Sequence, residues 1–306
     1  MSSPGRVVYM GTPHYARMIL QHLLDAEDMQ VTLVVTQPDR PVGRKRVLTP
    51  PPVKELAAGH GIEVLQPLRL TEEGIAERIA EEKPDFIVVA AFGQILPRSI
   101  LDIAPCINLH ASLLPRYRGA SPVQQSLLNG DRYSGVSAML MEEGLDSGPV
   151  LGFSCFRIPD EMRLGGLMEE LSEEACILTL DTLRHFEMLD PQPQIRALAS
   201  YCKKIRRSDG EISFDDAGAI YDKYRAFEGW PGIFTSGGLK LIGMKVVERD
   251  EPHRKAVILS IEKSGVVIGC ERGSIKLESV QPPSKKPMDA VSYLRGRGLQ
   301  LGDTLV

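Results

Sequence analysis

Short apolar runs alternate with amphipathic stretches through the first two thirds of the chain. Arg6–Met10 reads as a strand, and Gly11–Thr12–Pro13 turns it into a helix ending near Leu24. Val31–Thr36 reads as a second strand, Val53–Gly59 as a helix, Glu63–Gln66 as a short strand and Glu72–Glu82 as an acidic helix. Phe86–Ala91 is continuously apolar, the pattern of a strand buried on both faces. The stretch from Cys106 opens as the next strand and ends, by Gly119, in a turn with two arginines. Pro122–Asn129 reads as a helix, and Ser137–Met141 and Val150–Ile158 as further strands. Leu164–Leu189 has the period of a long amphipathic helix, with Leu167, Leu171, Ile177 and Leu180 at apolar positions. Strand, turn and helix in repetition predict an α/β domain with a doubly wound (Rossmann-like) sheet.

After Leu189 the texture changes. Asp190–Pro191–Gln192–Pro193–Gln194 breaks the helical period and opens a linker that carries Lys203, Lys204, Arg206 and Arg207. Ala217–Phe227 reads as a helix. From Ile233 onward, short β segments follow at Leu239–Val247, Ala256–Glu262, Gly265–Cys270 and Gly273–Leu277, with a short helix at Ala290–Leu294. Strands of this length and spacing predict a small β-barrel such as an OB-fold. The expected organisation is therefore a catalytic domain over 1–189, a basic linker over 190–208 and an OB-like domain over 209–306.

Composition narrows the class. With 306 residues, 43% hydrophobic and 25% charged, the chain suits two globular domains. No apolar run approaches the ~20 residues of a membrane span, and the start lacks the apolar core of a signal peptide. Five cysteines without a Cys-x-x-Cys pair argue against a disulfide framework or a zinc site, and fit reduced thiols in a cytoplasm. The net charge of −4 is unevenly spread. Residues 1–202 hold 18 Lys+Arg against 26 Asp+Glu, whereas 203–306 hold 18 against 14. The C-terminal part is thus the better candidate to meet a polyanion. A second basic feature is the proline-flanked loop at 37–52: its Arg40, Arg44, Lys45 and Arg46 suit a mobile cationic arm able to reach phosphate, although such a stretch is more often a solvated surface loop.

Candidate chemistry concentrates between 92 and 148. Asn108 and His110 are two residues apart, so on a strand their side chains leave the same face. An amide that can donate to a carbonyl oxygen then lies beside an imidazole that can move a proton, two parts of an acyl-transfer site. Asp146, in Gly144–Leu145–Asp146–Ser147–Gly148–Pro149, can orient that ring and stabilise its charged form. Singly, an Asn or His at a strand end is more often a satisfied polar group. All three stand where strands give way to turns, the edge at which open α/β sheets bind ligands. The first turn is not Gly-x-Gly-x-x-Gly, which excludes a dinucleotide enzyme. The six histidines show no metal-ligand spacing, so no metal is expected.

Together these motifs resemble one family. Asn108–Leu109–His110–Ala111–Ser112–Leu113–Leu114–Pro115–Arg116–Tyr117–Arg118–Gly119 with Leu145–Asp146–Ser147–Gly148 is similar to the signature of folate-dependent formyltransferases and hydrolases. Pro38–Asp39–Arg40–Pro41, Tyr201–Lys203–Lys204–Ile205 and Arg225–Ala226–Phe227 with Trp230–Pro231 resemble the methionyl-tRNA formyltransferases in particular. The resemblance implies 10-formyltetrahydrofolate as donor and the α-amine of initiator methionyl-tRNA as acceptor. It assigns catalysis to Asn108, His110 and Asp146. Folate binding would fall to Ser112, Leu113, Leu114 and Pro115, with Phe92, Gly93, Gln94, Ile95 and Leu96 and Met141, Glu142, Glu143 and Gly144 lining a pterin pocket. It implies tRNA contacts through Arg40, Arg44, Lys45 and Arg46 and through Lys203, Lys204, Arg206 and Arg207. Whether His110 acts as base or as a charged stabiliser stays open, and a monomer is the expected oligomeric state. Pro149 and His14 depart from the family pattern. The rival readings are a formyl-folate hydrolase, a nucleotide-sugar formyltransferase with the same core, and a non-catalytic RNA-binding protein.

Overall fold

The computed structural model describes residues 4–43 and 45–305 and divides the chain into two compact units. The first comprises residues up to 122, 133–157 and 167–202. Along the chain it runs β1 (Gly5–Gly11), α1 (His14–Leu24), β2 (Met29–Val35), β3 (Arg40–Val42), β4 (Val47–Thr49), α2 (Pro52–Gly59) and β5 (Val64–Leu65). Then come α3 (Ile75–Glu81), β6 (Phe86–Ala90), α4 (Arg98–Leu101), β7 (Cys106–His110) and β8 (Arg118–Gly119). After α5 (Pro122–Leu128), which falls in the second unit apart from Pro122, follow β9 (Tyr133–Leu140), β10 (Val150–Arg157), α6 (Leu164–Arg184, its first three residues also counted with the second unit) and β11 (Tyr201–Cys202).

Seven strands form the main sheet in the order β10-β9-β7-β6-β1-β2-β5. β5, β2, β1, β6 and β7 are parallel, and β9 and β10 extend the sheet antiparallel at the β7 edge. The chain winds outward from β1 through β2 to β5, then returns to build the other half from β6. The doubly wound expectation therefore holds, with its topological switch between β1 and β6, the kind of place at which open α/β sheets bind ligands.

Alternation along β1 explains why both faces are covered. Val8 and Met10 join Leu33, Val35, Ile87, Val89, Ile79 and Ile100 in one buried cluster, which puts α3 and α4 on that face. Tyr9 points the other way, toward α1 and α6, where its hydroxyl donates to the Ala16 carbonyl at 2.6 Å. Burial pushes that phenol well above its ordinary pKa. Several helices begin on proline: Pro13 before α1, Pro51–Pro52 at α2, Pro97 before α4 and Pro122 at α5. A first-turn N–H has no intrahelical partner, so its absence there costs nothing.

Some expectations need correction. The stretch at 37–52 is not an unpaired arm: β3 and β4 pair antiparallel as Arg40↔Thr49, Pro41↔Leu48 and Val42↔Val47. Positive φ at Gly43 (71°) and Arg46 (49°) turns the chain between them, and the strands are too short for alternation to betray them. Of the four cations read there, Arg44 lies outside the described residues. The long helix stops at Arg184, followed by a 3₁₀ turn at Phe186–Met188, and Ile177 faces solvent rather than the core. Residues 190–202, expected within a linker, are built into the first unit. Val150 and Gln192 bond reciprocally, and β11 pairs parallel with β8.

The second unit comprises residues 123–132, 158–166 and 203 onward. It contains β12 (Glu211–Ile212), α7 (Ala217–Ala226), β13 (Ile233–Thr235), β14 (Lys240–Glu248), β15 (Ile258–Glu262), β16 (Gly265–Gly269), β17 (Ser274–Gln281), β18 (Met288–Asp289) and α8 (Ala290–Arg297). The sheet order is β12-β13-β14-β17-β16-β15, with β18 on β17. This is the β-rich domain the spacing predicts. Its closure is partial: among the described residues no ladder joins β12 to β15, although Asp216 bridges to Arg272. Both helices are capped as their sequences require, Asp216 accepting from Ala219 N and Asp289 from Ser292 N. Among the described residues no helix is long and apolar enough to cross a membrane.

Candidate active site

β7 carries Asn108 and His110 to the carboxyl edge of the sheet, between β6 and β9. Both side chains are buried. The loop after β9 returns a carboxylate to them: Asn108 Nδ2 approaches Asp146 Oδ1 at 3.5 Å, and His110 Nδ1 faces Asp146 Oδ2 at 3.8 Å. The first distance is the outer limit of a hydrogen bond and the second lies beyond one. The three groups therefore converge while leaving the amide and the imidazole free to reach a substrate.

Local structure fixes that convergence. Asp146 adopts φ of 49°, rarely favourable for a non-glycine residue, and its Oδ2 accepts a 2.7 Å bond from the Gly119 N–H. Gly119 itself has φ of 116°, and a Cβ there would run into the Cys202 carbonyl. No other residue fits where β8 meets β11. The Asp146 loop is also held from its other side. Gln194 donates to the carbonyls of Asp146 (3.0 Å) and Gly148 (2.7 Å), while its own oxygen accepts from the buried Arg118 at 2.7 and 3.0 Å. Gln194 follows Pro193 in a stretch with no pattern of its own, and only the folded chain reveals it. Arg118 and Gly119 stood inside the legible motif, but nothing in its spacing gave their partners.

His110 Nε2 lies 2.9 Å from the Tyr117 carbonyl. A carbonyl only accepts, so Nε2 carries the hydrogen and the neutral ring keeps its lone pair on Nδ1, the atom facing Asp146. A proton gained by the ring thus arrives beside the carboxylate.

The residues expected around a folate fall into two groups. Phe92 and Leu96 turn their side chains into the core, with Met141 packed against the same cluster. Gln94 accepts from Leu70 N at 3.1 Å. Gly93, with φ of 87°, and the exposed Ile95 form the outer surface of that loop. Thr12 Oγ1 donates to Phe92 O at 3.3 Å, tying this loop to the end of β1 across the switch point. Glu142 and Glu143 are exposed, and Gly144 N bonds Glu142 O at 2.7 Å. Ser112 Oγ is committed to Arg116 O at 2.7 Å, and Leu114 N donates to Ser137 Oγ at 3.0 Å. Ser112 and Leu114 thus belong to the braced turn beside His110, with Leu113 and Pro115 partly exposed in it. No group of three or more His, Cys, Asp or Glu placed to hold a metal occurs among the described residues.

The expected tRNA-facing cations other than Arg44 are exposed. Arg40, Lys45 and Arg46 lie in the β3–β4 hairpin. Its base is anchored by Asp39, which accepts from Lys54 (2.9 Å) and Gln66 (2.7 Å). Those bonds, from Gln66 first and Lys54 next, hold the Asp39 carboxyl below its usual range. Lys203, Lys204, Arg206 and Arg207 are exposed at the start of the second unit's main segment.

An amide, an imidazole and a carboxylate converging at the carboxyl edge of such a sheet are the parts an acyl-transfer site needs. The formyl transferase family model matches residues 5–182, and the model of the formyl transferase C-terminal domain matches 204–298. Two curated relatives narrow this further, both called methionyl-tRNA formyltransferase. The one from Sulfurovum sp. is 62% identical over 98% of this chain and 99% of its own, and the one from Wolinella succinogenes 52% identical over the same shares. The chain belongs to the methionyl-tRNA formyltransferase family. Solved structures share the fold at low identity. An N-formyltransferase from Helicobacter canadensis, solved with folinic acid and dTDP-3-aminofucose, has a TM-score of 0.66 at 16% identity, covering 90% of this chain and 99% of that one. HypX from Aquifex aeolicus, solved with tetrahydrofolic acid, has a TM-score of 0.61 at 17% identity, covering 98% of this chain and 49% of that one.

Proposed function

We infer that this enzyme transfers the formyl group of 10-formyltetrahydrofolate to the α-amine of methionine on initiator tRNA, giving N-formylmethionyl-tRNA. The observation that carries the acceptor is the full-length correspondence with relatives of that name, C-terminal domain included. The acceptor is a cytoplasmic species, and that is where we expect the protein to act, as a monomer.

The site suggests how each group works. An α-amine titrates near ~8, so part of it is protonated and unreactive at neutral pH. The neutral amine attacks the formyl carbon, and a C–N bond forms as negative charge grows on the formyl oxygen. Asn108 Nδ2, held only loosely by Asp146, donates to that oxygen. The nitrogen that attacked must then lose a proton, and His110 Nδ1 is the ring atom with a lone pair to receive it. Asp146 stabilises the resulting imidazolium, while its bond from Gly119 keeps it from following the proton. The bond from the formyl carbon to the folate nitrogen breaks last, and its electron pair leaves with the folate, which takes up a proton. In this reading, the turn at Ser112–Pro115 and the loops at Phe92–Leu96 and Met141–Gly144 hold the folate, and the two exposed basic groups meet the tRNA backbone.

Incubation with radiolabelled formyl-folate tests the assignment directly. Label should pass to methionyl-tRNA and not to uncharged tRNA. Release of formate without an acceptor, or label on a nucleotide-linked amino sugar instead, overturns it.

A further inference from the structure

Within the second unit, a groove of about 520 Å³ is bounded by Arg207, Trp230, Pro231, Phe234, Ser236 and Lys240. Trp230 is the only tryptophan of the chain and is 59% exposed. Among the described residues its ring makes no contact with another ring or with a guanidinium. Arg207 and Lys240 carry no ion pair there either. Several other cations of the same unit are committed: Lys255 to Asp215 and Glu271, Arg272 to Asp250, Lys276 to Glu262, Arg225 to Asp222. No carboxylate lines the groove.

An uncommitted aromatic face, two uncommitted cations and a hydroxyl lining one groove match one ligand chemistry closely. An unstacked nucleobase lies on an aromatic ring while its phosphate takes the positive charges. The groove is also within the size range of small-ligand sites. A protein partner would want a broader apolar patch. Arg207 already belongs to the basic run proposed to meet tRNA, so the same molecule supplies the base. We propose that this groove holds one unpaired nucleotide of the tRNA substrate, its base stacked on Trp230 and its phosphate between Arg207 and Lys240. The proposal rests on tRNA as the acceptor and adds a point of base contact to what would otherwise be phosphate binding.

Because Trp230 is the sole indole, its emission tests the proposal in the intact protein. Uncharged tRNA should quench it strongly, and inorganic polyphosphate of matched charge should not. Kinetics supply the second arm. Trp230→Ala should raise KM for methionyl-tRNA about 10- to 100-fold with kcat kept, and Trp230→Phe, which retains a stacking face, should stay within about threefold of wild type. Should Trp230→Ala fail to fold, Arg207→Ala/Lys240→Ala still decides, since it keeps the fluorophore and should weaken quenching by tRNA. Emission unmoved at saturating tRNA, equal quenching by polyphosphate, or wild-type KM in Trp230→Ala overturns the groove while leaving formyl transfer intact. A wild-type protein that tRNA quenches but that formylates nothing overturns the acceptor reading instead.

Discussion

Asn108 is buried, and among the described residues its side-chain amide makes one contact, at 3.5 Å to Asp146. A buried amide usually satisfies its donors, so one left slack at a sheet edge is poised for something the free protein lacks. Removing a single oxyanion donor typically slows acyl transfer by ~10²–10³. Asn108→Ala should therefore lower kcat by about that factor with folate affinity close to wild type, measured by equilibrium titration beside single-turnover rates. Lost folate binding with surviving chemistry would reassign Asn108 to ligand binding. Asp146→Asn should slow transfer as well, because an amide cannot stabilise the imidazolium that the carboxylate faces at 3.8 Å. A wild-type single-turnover rate in that variant removes Asp146 from that role. At this scale the sequence told a good deal. The two-residue spacing on a strand sets Asn108 and His110 on one face whatever else the fold does. It could not tell which imidazole nitrogen is free, since that depends on the Tyr117 carbonyl, placed by a turn whose path no local pattern specifies.

Among the elements, the β3–β4 hairpin departs most from expectation. Its composition announced cations among prolines, and the pairing that organises them arises from two positive-φ residues and an anchor at Asp39, Lys54 and Gln66. Those three are far apart in sequence, so no window-based reading joins them. A preformed hairpin loses less entropy on ordering against RNA than a free loop. Alanine at Arg40, Arg44, Lys45 and Arg46 together should raise KM for tRNA and flatten its dependence on salt, since each phosphate contact contributes ~0.7–0.9 to the log–log slope. A wild-type slope in that variant removes the hairpin from the interface. The long apolar runs at β6 and β7 were by contrast easy to read, because strands buried on both faces leave little ambiguity. The second unit was legible as strands but not as a closure, which depends on how its edges meet.

Taken whole, the molecule keeps four of its five thiols inside. Cys106, Cys176, Cys202 and Cys270 are buried and Cys155 is exposed. Burial pushes the thiols of Cys106 and Cys270 up to about 12 and that of Cys176 to about 11. A disulfide reagent at neutral pH should consume one thiol rapidly and the other four only on unfolding. These raised values also set a sign. The protonated thiols stabilise the fold fully below the unfolded value near ~8.5, and that contribution falls away as pH climbs toward about 12. The urea midpoint should therefore drop above about pH 8.5, less steeply in Cys270→Ala.

The return of residues 190–202 to the first unit bears on how this protein can be cut and recombined. The formyl transferase family model ends at 182, and the helix that follows β10 has ended by Arg184, so Leu189 is the tempting splice point for a minimal catalytic fragment or a chimera. A fragment trimmed there sheds Gln194, the strand beside Arg118–Gly119 and the Ser200 hydroxyl that accepts from Tyr117 N at 2.9 Å. It should keep its sheet and lose its turnover. A fragment carried through Cys202 should recover the rate of transfer to a small methionyl ester, whatever domain is grafted after it.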